Sequence, residues 1–326
     1  MTSTSPRPQP ASVRRRPSRG GIIALVVVIG ALTWAWQIDL VRQNAQLFWL
    51  AVTGQQWKLR GTIHEFQVWS PALKQSRTVY VYTPADYESP SKKSARFPVL
   101  YMLHGAPGLP TDWLRYGRAP EVVERLHLQG KVPEMLVVCP DGQGIGALGD
   151  SEYVDAPSQP PGTVGADVGS FIWHDLPAWV DNHYRTRTNP AGRILAGAST
   201  GGYGAVNLAL RHPNVFGGGI SCSGYFTATP YGWARPVWGH HSTQAQLDAD
   251  SPSVYVHGPS PRWQHTYIFI GDGLEERPPY PQQAAAFVGT LKAADIDYVY
   301  KRAPGKHSWD LWRGLLRDAL TRYYKR

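Results

Sequence analysis

Cysteine is scarce in this chain, with two in 326 residues, Cys139 and Cys222. Each ends an apolar strand-like run, and both read as buried thiols. A bond between them would require Cα atoms within about 7 Å. No C-x-x-C pair or Cys/His cluster is present, so neither a metal site nor a cofactor is expected. Internal repeats are also lacking. The net charge is +9, yet no basic stripe with interleaved stacking aromatics occurs, which argues against a nucleic-acid partner. Acidic residues are missing from residues 1–20, which carry Arg7, Arg14, Arg15, Arg16 and Arg19. Five of the nine excess positive charges therefore sit in this tail, and the remainder of the chain, at +4, is only mildly basic.

Charge then disappears altogether from Gly20 to Ile38. Such a run is long enough to span a bilayer. Arginines precede it, and Trp34 and Trp36 near its end suit an interfacial belt. We read residues 1–19 as a disordered basic tail, 20–38 as an uncleaved transmembrane signal-anchor and 39–61 as a juxtamembrane linker. The alternative for 20–38 is a cleaved signal peptide, but no clear A-x-A site follows. Positive-inside logic leaves the N-terminus in the cytoplasm and the rest of the chain outside the cell membrane.

The remaining residues, 62–326, are rich in core-forming and turn-forming types. The whole chain is 42% apolar, with 13 Trp, 17 Tyr, 33 Gly and 28 Pro. Phe66–Trp69 and Arg77–Tyr82 alternate like paired antiparallel strands. Further strands are expected at Phe97–Leu103, Met135–Cys139, Ile194–Ala196, Val215–Ser221, Tyr267–Ile270 and Tyr298–Lys301. Helices are expected at Glu121–Gln129, Ile172–Tyr184, Tyr203–Leu210, Gln282–Ala293 and Trp309–Tyr324. Strands alternating with helices imply an α/β domain with a mainly parallel central sheet flanked by helices. Two long segments, 141–168 and 223–263, follow sheet strands and should border the site.

Gly197-Ala-Ser-Thr-Gly201 is the most informative motif. It is a G-x-S-x-G sequence between an apolar strand and a helix, the setting of a nucleophile elbow. The geometry exposes a serine Oγ on a strained turn, and the helix start aims free N–H groups at a developing oxyanion. Ser199 is the candidate nucleophile. A serine hydroxyl needs a base, and a third group to orient the base. Downstream histidines are His212, His240, His241, His257, His265 and His307. His307 stands in a Pro/Gly loop between the last strand and the last helix, where an imidazole can reach over the sheet edge. The acid should follow the strand at Tyr267–Ile270, where Asp272, Glu275 and Glu276 are available; spacing does not choose among them. Thr200, after the nucleophile, and Ala106, in Leu103-His-Gly-Ala-Pro-Gly108, are the candidate oxyanion donors.

Thr78–Pro84, Leu100–Gly105, Val138–Gly142, Asp175–Asp181, the elbow followed by Gly202, Ser221–Phe226 and Gly305–Trp309 together resemble an esterase family of α/β-hydrolases. It includes esterase D (S-formylglutathione hydrolase), enterochelin esterases, feruloyl esterase domains and secreted mycolyltransferases. The resemblance covers roughly Thr62 to Tyr324. It implies the α/β-hydrolase fold, with Ser199 as nucleophile, His307 as base and Ala106 with Thr200 as oxyanion donors. In many members the acid lies three residues past a strand-end glycine. Counted from Gly271 that position is Leu274, and a one-residue shift favours Glu275, with Asp272 and Glu276 as alternatives.

The expectation is a membrane-anchored, extracytoplasmic serine esterase that cleaves a small-molecule, lipid or carbohydrate ester through an acyl-enzyme. One alternative is mycolyltransferase-like acyl transfer to a carbohydrate or other alcohol. Another is a non-catalytic binding or scaffold protein on a hydrolase fold, whose mark would be a broken triad.

Overall fold

The computed structural model describes residues 58–145, 149–229, 235–238 and 242–326. The expected membrane span (20–38) and most of the expected linker lie outside these residues, as do Trp233, His240 and His241. Among the described residues no helix is long and apolar enough to cross a membrane.

Eight strands form one sheet: β1 (Thr62–Ser70), β2 (Gln75–Thr83), β3 (Val99–Leu103), β4 (Leu136–Pro140), β5 (Arg193–Ala198), β6 (Gly218–Cys222), β7 (Tyr267–Gly273) and β8 (Asp297–Ala303). Their spatial order is β1-β2-β4-β3-β5-β6-β7-β8. β1 pairs antiparallel with β2, and β2 antiparallel with β4; every other pairing is parallel. The longer helices are α1 (Ala119–Leu128), α2 (Leu176–His183), α3 (Thr200–Arg211), α4 (Tyr280–Ala293) and α5 (Trp309–Tyr323). This is the expected mainly parallel α/β-hydrolase arrangement.

β3, β4 and β5 are buried at every position. Strands covered on both faces read as continuous apolar runs, as Val99-Leu-Tyr-Met-Leu103 does. Successive side chains point to opposite faces. Leu100 and Met102 pack with Val123 and Leu126 of α1 and Leu315 and Leu316 of α5. Tyr101 and Leu103 pack on the other side with Leu176 and Val180 of α2 and Ala205 and Leu208 of α3. β1, at the sheet edge, is mostly exposed along its first half. Cys139 and Cys222 are free and buried among these apolar groups, and burial pushes both thiols well above their usual range.

Several elements depart from the sequence expectations. A turn of helix at Asp112–Arg115 was not anticipated, and 223–263 holds short helices at Gln244–Ala249 and Pro252–Tyr255. Pieces of four to six residues are too short to show a helical period. β7 continues past Ile270 to Gly273, because Gly271, Asp272 and Gly273 still pair with Lys301, Arg302 and Ala303. That extension decides which acid reaches the site.

Candidate active site

The elbow is built at the C-terminal end of β5. Ser199 has φ 55° and ψ −121°, a conformation that L-residues rarely adopt. Such strain costs on the order of 1–3 kcal/mol and persists only where the surroundings enforce it. Ser199 N–H donates to Cys222 O at 2.9 Å, and Gly202 and Tyr203 N–H donate back to Ser199 O at 2.9 and 3.1 Å. The motif glycines are needed for close approach. A Cβ on Gly197 would stand 2.2 Å from Gly201 O, and one on Gly201 would stand 2.3 Å from Leu103 O. With both Cβ atoms absent, the turn sits directly on β3.

Thr200 opens α3, where the first N–H groups have no intrahelical partner. The facing loop is His104–Gly108, and Gly105 lies against Ser199 and Ala198. Ala106 and Thr200 line one small cavity together with Asp150. Sequence-expected oxyanion donors thus meet at one place. His104 braces this loop: its Nδ1 is 2.9 Å from Gly105 O and its Nε2 accepts Gly142 N–H at 3.0 Å. Burial lowers the pKa of His104, consistent with a neutral ring that donates through Nδ1 and accepts through Nε2. Tyr153 OH donates to His104 O at 2.8 Å, and Trp113 Nε1 donates to Leu103 O at 2.8 Å.

His307 Nδ1 lies 3.0 Å from Glu276 Oε1. The Glu276 side chain is fully buried, whereas that of His307 is 33% exposed. Glu276 Oε2 also accepts Gly273 N–H at 3.3 Å. Glu275, the acid favoured from the sequence, is exposed, and its main-chain N–H donates to Gly305 O at 3.1 Å. Asp272 is engaged elsewhere, accepting from Arg302 Nε at 2.8 Å and from Tyr300 OH at 3.0 Å. The correction from Glu275 to Glu276 follows from the longer β7. Gly273, not Gly271, ends the strand, and Glu276 N–H then turns back to Gly273 O at 3.3 Å. Three residues past the true strand end is Glu276.

Tyr280, at the first turn of α4, was not anticipated. Its ring packs against His307 with centroids 4.6 Å apart; burial pushes its hydroxyl up, and the nearby Ser199 side chain partly offsets this. One side chain therefore packs on the candidate base and lies near the candidate nucleophile. Trp312 also packs edge-on against His307, with centroids 4.9 Å apart, and donates from Nε1 to Ser223 Oγ at 2.9 Å. The sequence signal nearest to Tyr280 is the Arg277-Pro-Pro279 stretch that leads into α4. The other downstream histidines among the described residues lie apart from this constellation. His212 stacks on Trp173, and His257 and His265 are exposed.

Both long loops do reach the site. Tyr225, from the segment after β6, lies 3.4 Å through its hydroxyl from Thr200 Oγ1 and donates to Glu152, from the segment after β4. No cluster of three or more metal-ligating side chains occurs among the described residues.

The family model described as "Putative esterase" matches residues 70–323. An endo-1,4-beta-xylanase/feruloyl esterase from Xylanibacter ruminicola is 28% identical over 273 residues, covering 81% of this chain. The match spans only 32% of that protein's own length. An acetyl esterase from Caldicellulosiruptor saccharolyticus is 24% identical, over 79% of this chain and 96% of that protein. A solved ferulic acid esterase superposes with a TM-score of 0.70 at 22% identity, covering 82% of this chain and 99% of its own. With the family model matching most of its length, the chain belongs to this esterase family, whose fold and elbow it carries.

Proposed function

We propose that the protein is a serine carboxylesterase working through an acyl-enzyme. The observation that carries this reading is a Ser199 held on a strained elbow together with a His307 held by Glu276, with Tyr280 packed on the imidazole and near the serine.

In the proposed cycle Ser199 Oγ attacks the ester carbonyl while His307 takes the hydroxyl proton through Nε2. Glu276 accepts from Nδ1–H, which fixes the tautomer and steadies the imidazolium. Thr200 and Ala106 N–H groups hold the oxyanion. His307 then gives its proton to the leaving alcohol, and the acyl group stays on Ser199. Water enters, loses a proton to His307 and releases the acid. An alcohol in place of water gives acyl transfer by the same steps. A non-catalytic scaffold reading draws no support from a site in which nucleophile, base and acid are all present.

The Gly20–Ile38 segment, with arginines before it, supports display of this domain outside the cell membrane. Protease added to intact cells should then remove the domain.

The test is pre-steady-state hydrolysis of p-nitrophenyl acetate by the detergent-solubilised full chain. A burst of nitrophenol with an acetyl adduct on Ser199, seen by mass spectrometry, supports the reading. Steady hydrolysis without adduct contradicts it. Added glycerol or trehalose that diverts the acetyl group to an ester product identifies the transferase.

A further inference from the structure

The end of the domain opposite Ser199 is a cationic face that the proposed cycle does not use. The first residues of β3, β5, β6, β7 and β8 lie in register along one edge of the sheet, whereas Ser199 follows the far end of β5. Loops leading into these strands carry Arg96, Arg187, Arg262 and His265, and the end of α5 adds Arg322 and Lys325. All six side chains are exposed. Among the described residues none of the five Arg and Lys groups is paired with a carboxylate. The nearby Glu88, Glu134, Asp181, Asp250 and Asp297 are already paired with other cations. Asp295 is exposed at this end and offsets one positive charge.

These groups are contiguous. Arg187 Nε donates to Arg96 O at 3.2 Å. Tyr323 OH donates to Ala191 O at 3.1 Å, which brings the end of α5 against the loop before β5. Arg262 Nη2 donates to Arg211 O at the end of α3. Arg211, Arg262, His265 and Asn214 line an open hollow of about 460 Å³, and no carboxylate lines it. Cations are favoured at helix C-termini, which accounts for Arg211 and Arg322. Arg96 and Arg187 stand on loops and have no helix dipole to complement. The chain also enters the domain at this end. Thr62 pairs with Thr83, and Tyr82 with Val137 near the start of β4. Arg60 and Gly61 N–H fix the entry by donating to Glu124 Oε1 at 2.8 and 2.9 Å. Residues 1–57, with the uncharged run Gly20–Ile38, precede that point.

We propose that this face docks the domain on a bilayer surface rich in anionic phospholipid, with a phosphodiester headgroup seated in the hollow between Arg211, Arg262 and His265. This rests on the membrane-display reading above, not on the esterase chemistry. Each Lys or Arg held near such a surface strengthens association roughly fivefold, and guanidinium groups match phosphate oxygens in geometry. A span before residue 58 brings the domain to a bilayer without fixing which side faces it; the cationic face fixes that side. Ser199 then lies beyond the six residues of β5, about 20 Å further out, and the site opens away from the bilayer. Its ester arrives from solution or from a structure outside the membrane, not from the leaflet beneath.

The test places the full chain in nanodiscs of phosphatidylcholine, alone or with phosphatidylglycerol, each containing a lipid with a nitroxide headgroup. A bimane probe is attached at Gln264→Cys on the face, or at Val164→Cys, an exposed position beside the β1–β2 turn at the other end. Cys139 and Cys222 are buried and do not compete for the probe. With phosphatidylglycerol, quenching at 264 should exceed that at 164 by at least about threefold. The difference should vanish in phosphatidylcholine alone and in high salt. It should vanish also when Arg187→Gln, Arg262→Gln and Arg322→Gln are combined, with fluorophosphonate labelling of Ser199 retained as the check on folding. Chain that enters both discs without lipid-dependent quenching at 264 overturns the proposal and leaves the membrane-display reading standing. Chain that enters neither disc overturns that reading; it overturns the face as well unless the chain still floats with phosphatidylglycerol vesicles. Shielding of residue 264 by soluble polyphosphate, with no effect of lipid charge, would assign the face to an anionic polymer and overturn the proposal.

Discussion

Glu276 Oε1 meets His307 Nδ1 at 3.0 Å, while Glu275, its immediate neighbour in the chain, faces solvent. Two adjacent glutamates thus offer an internal control. Glu276→Gln should lower kcat by about 10³–10⁴-fold, because an amide no longer selects the productive imidazole tautomer. Glu275→Gln should stay within about twofold, as surface changes do. Ester hydrolysis by the two variants checks this, and a reversed order would return the acid role to Glu275.

The elbow implies a trade of stability against function. Ser199→Gly removes the side chain that makes φ 55° unfavourable and should raise stability by about 1–2 kcal/mol while eliminating turnover. Thermal melting of the two proteins measures it; an unchanged or lower midpoint would show that the turn is not strained.

Gly201 answers a different constraint. A Cβ there would stand 2.3 Å from Leu103 O and 2.5 Å from His104 O, both main-chain atoms that cannot move aside cheaply. Gly201→Ala should destabilise the fold by about 2–4 kcal/mol and displace the His104–Gly108 loop. A soluble, fully active Gly201→Ala protein would contradict the packing described.

Much of this site was legible from residue order. G-x-S-x-G between an apolar run and a helix fixes where a nucleophile stands, and a histidine in the last strand-to-helix loop fixes the base. The acid was not legible, because it depends on where β7 stops. Gly271-Asp-Gly273 carries no apolar signal, yet it remains paired to Lys301-Arg-Ala303, and those three residues of extra strand bring Glu276 rather than Glu275 to His307. Tyr280 and Glu152 were hidden for another reason. Their neighbours are 81 and 73 residues away in sequence, Ser199 for Tyr280 and Tyr225 for Glu152, and no local period records such proximity.

Tyr280 should act through the groups beside it. Tyr280→Phe keeps the ring against His307 and removes the hydroxyl near Ser199, and a loss in kcat/KM of about 3–10-fold is expected for the loss of one neutral polar neighbour of the nucleophile. Tyr280→Ala also frees the imidazole and should cost more. Equal losses in the two variants would assign the effect to the hydroxyl alone.

His212 provides a pH signature separate from catalysis. Stacked on Trp173, it is pushed down to about 4, first by burial and then by the nearby Arg211 and Arg262 charges. The unfolded chain takes up this proton near pH 6.5 and the folded one only near 4, so stability held above 6.5 is lost as pH falls between those values. His212→Phe keeps an aromatic face and should flatten that part of the denaturation-midpoint profile. An unaltered slope would assign the acid sensitivity to other groups.

The most direct test of the account is labelling of the detergent-solubilised full chain with a fluorophosphonate, alongside Ser199→Ala and His307→Ala. The account predicts stoichiometric labelling at Ser199 in the wild type, none in Ser199→Ala and a rate reduced by at least about 10³-fold in His307→Ala. A folded wild-type protein that takes up no label, or labels as fast without His307, would contradict it.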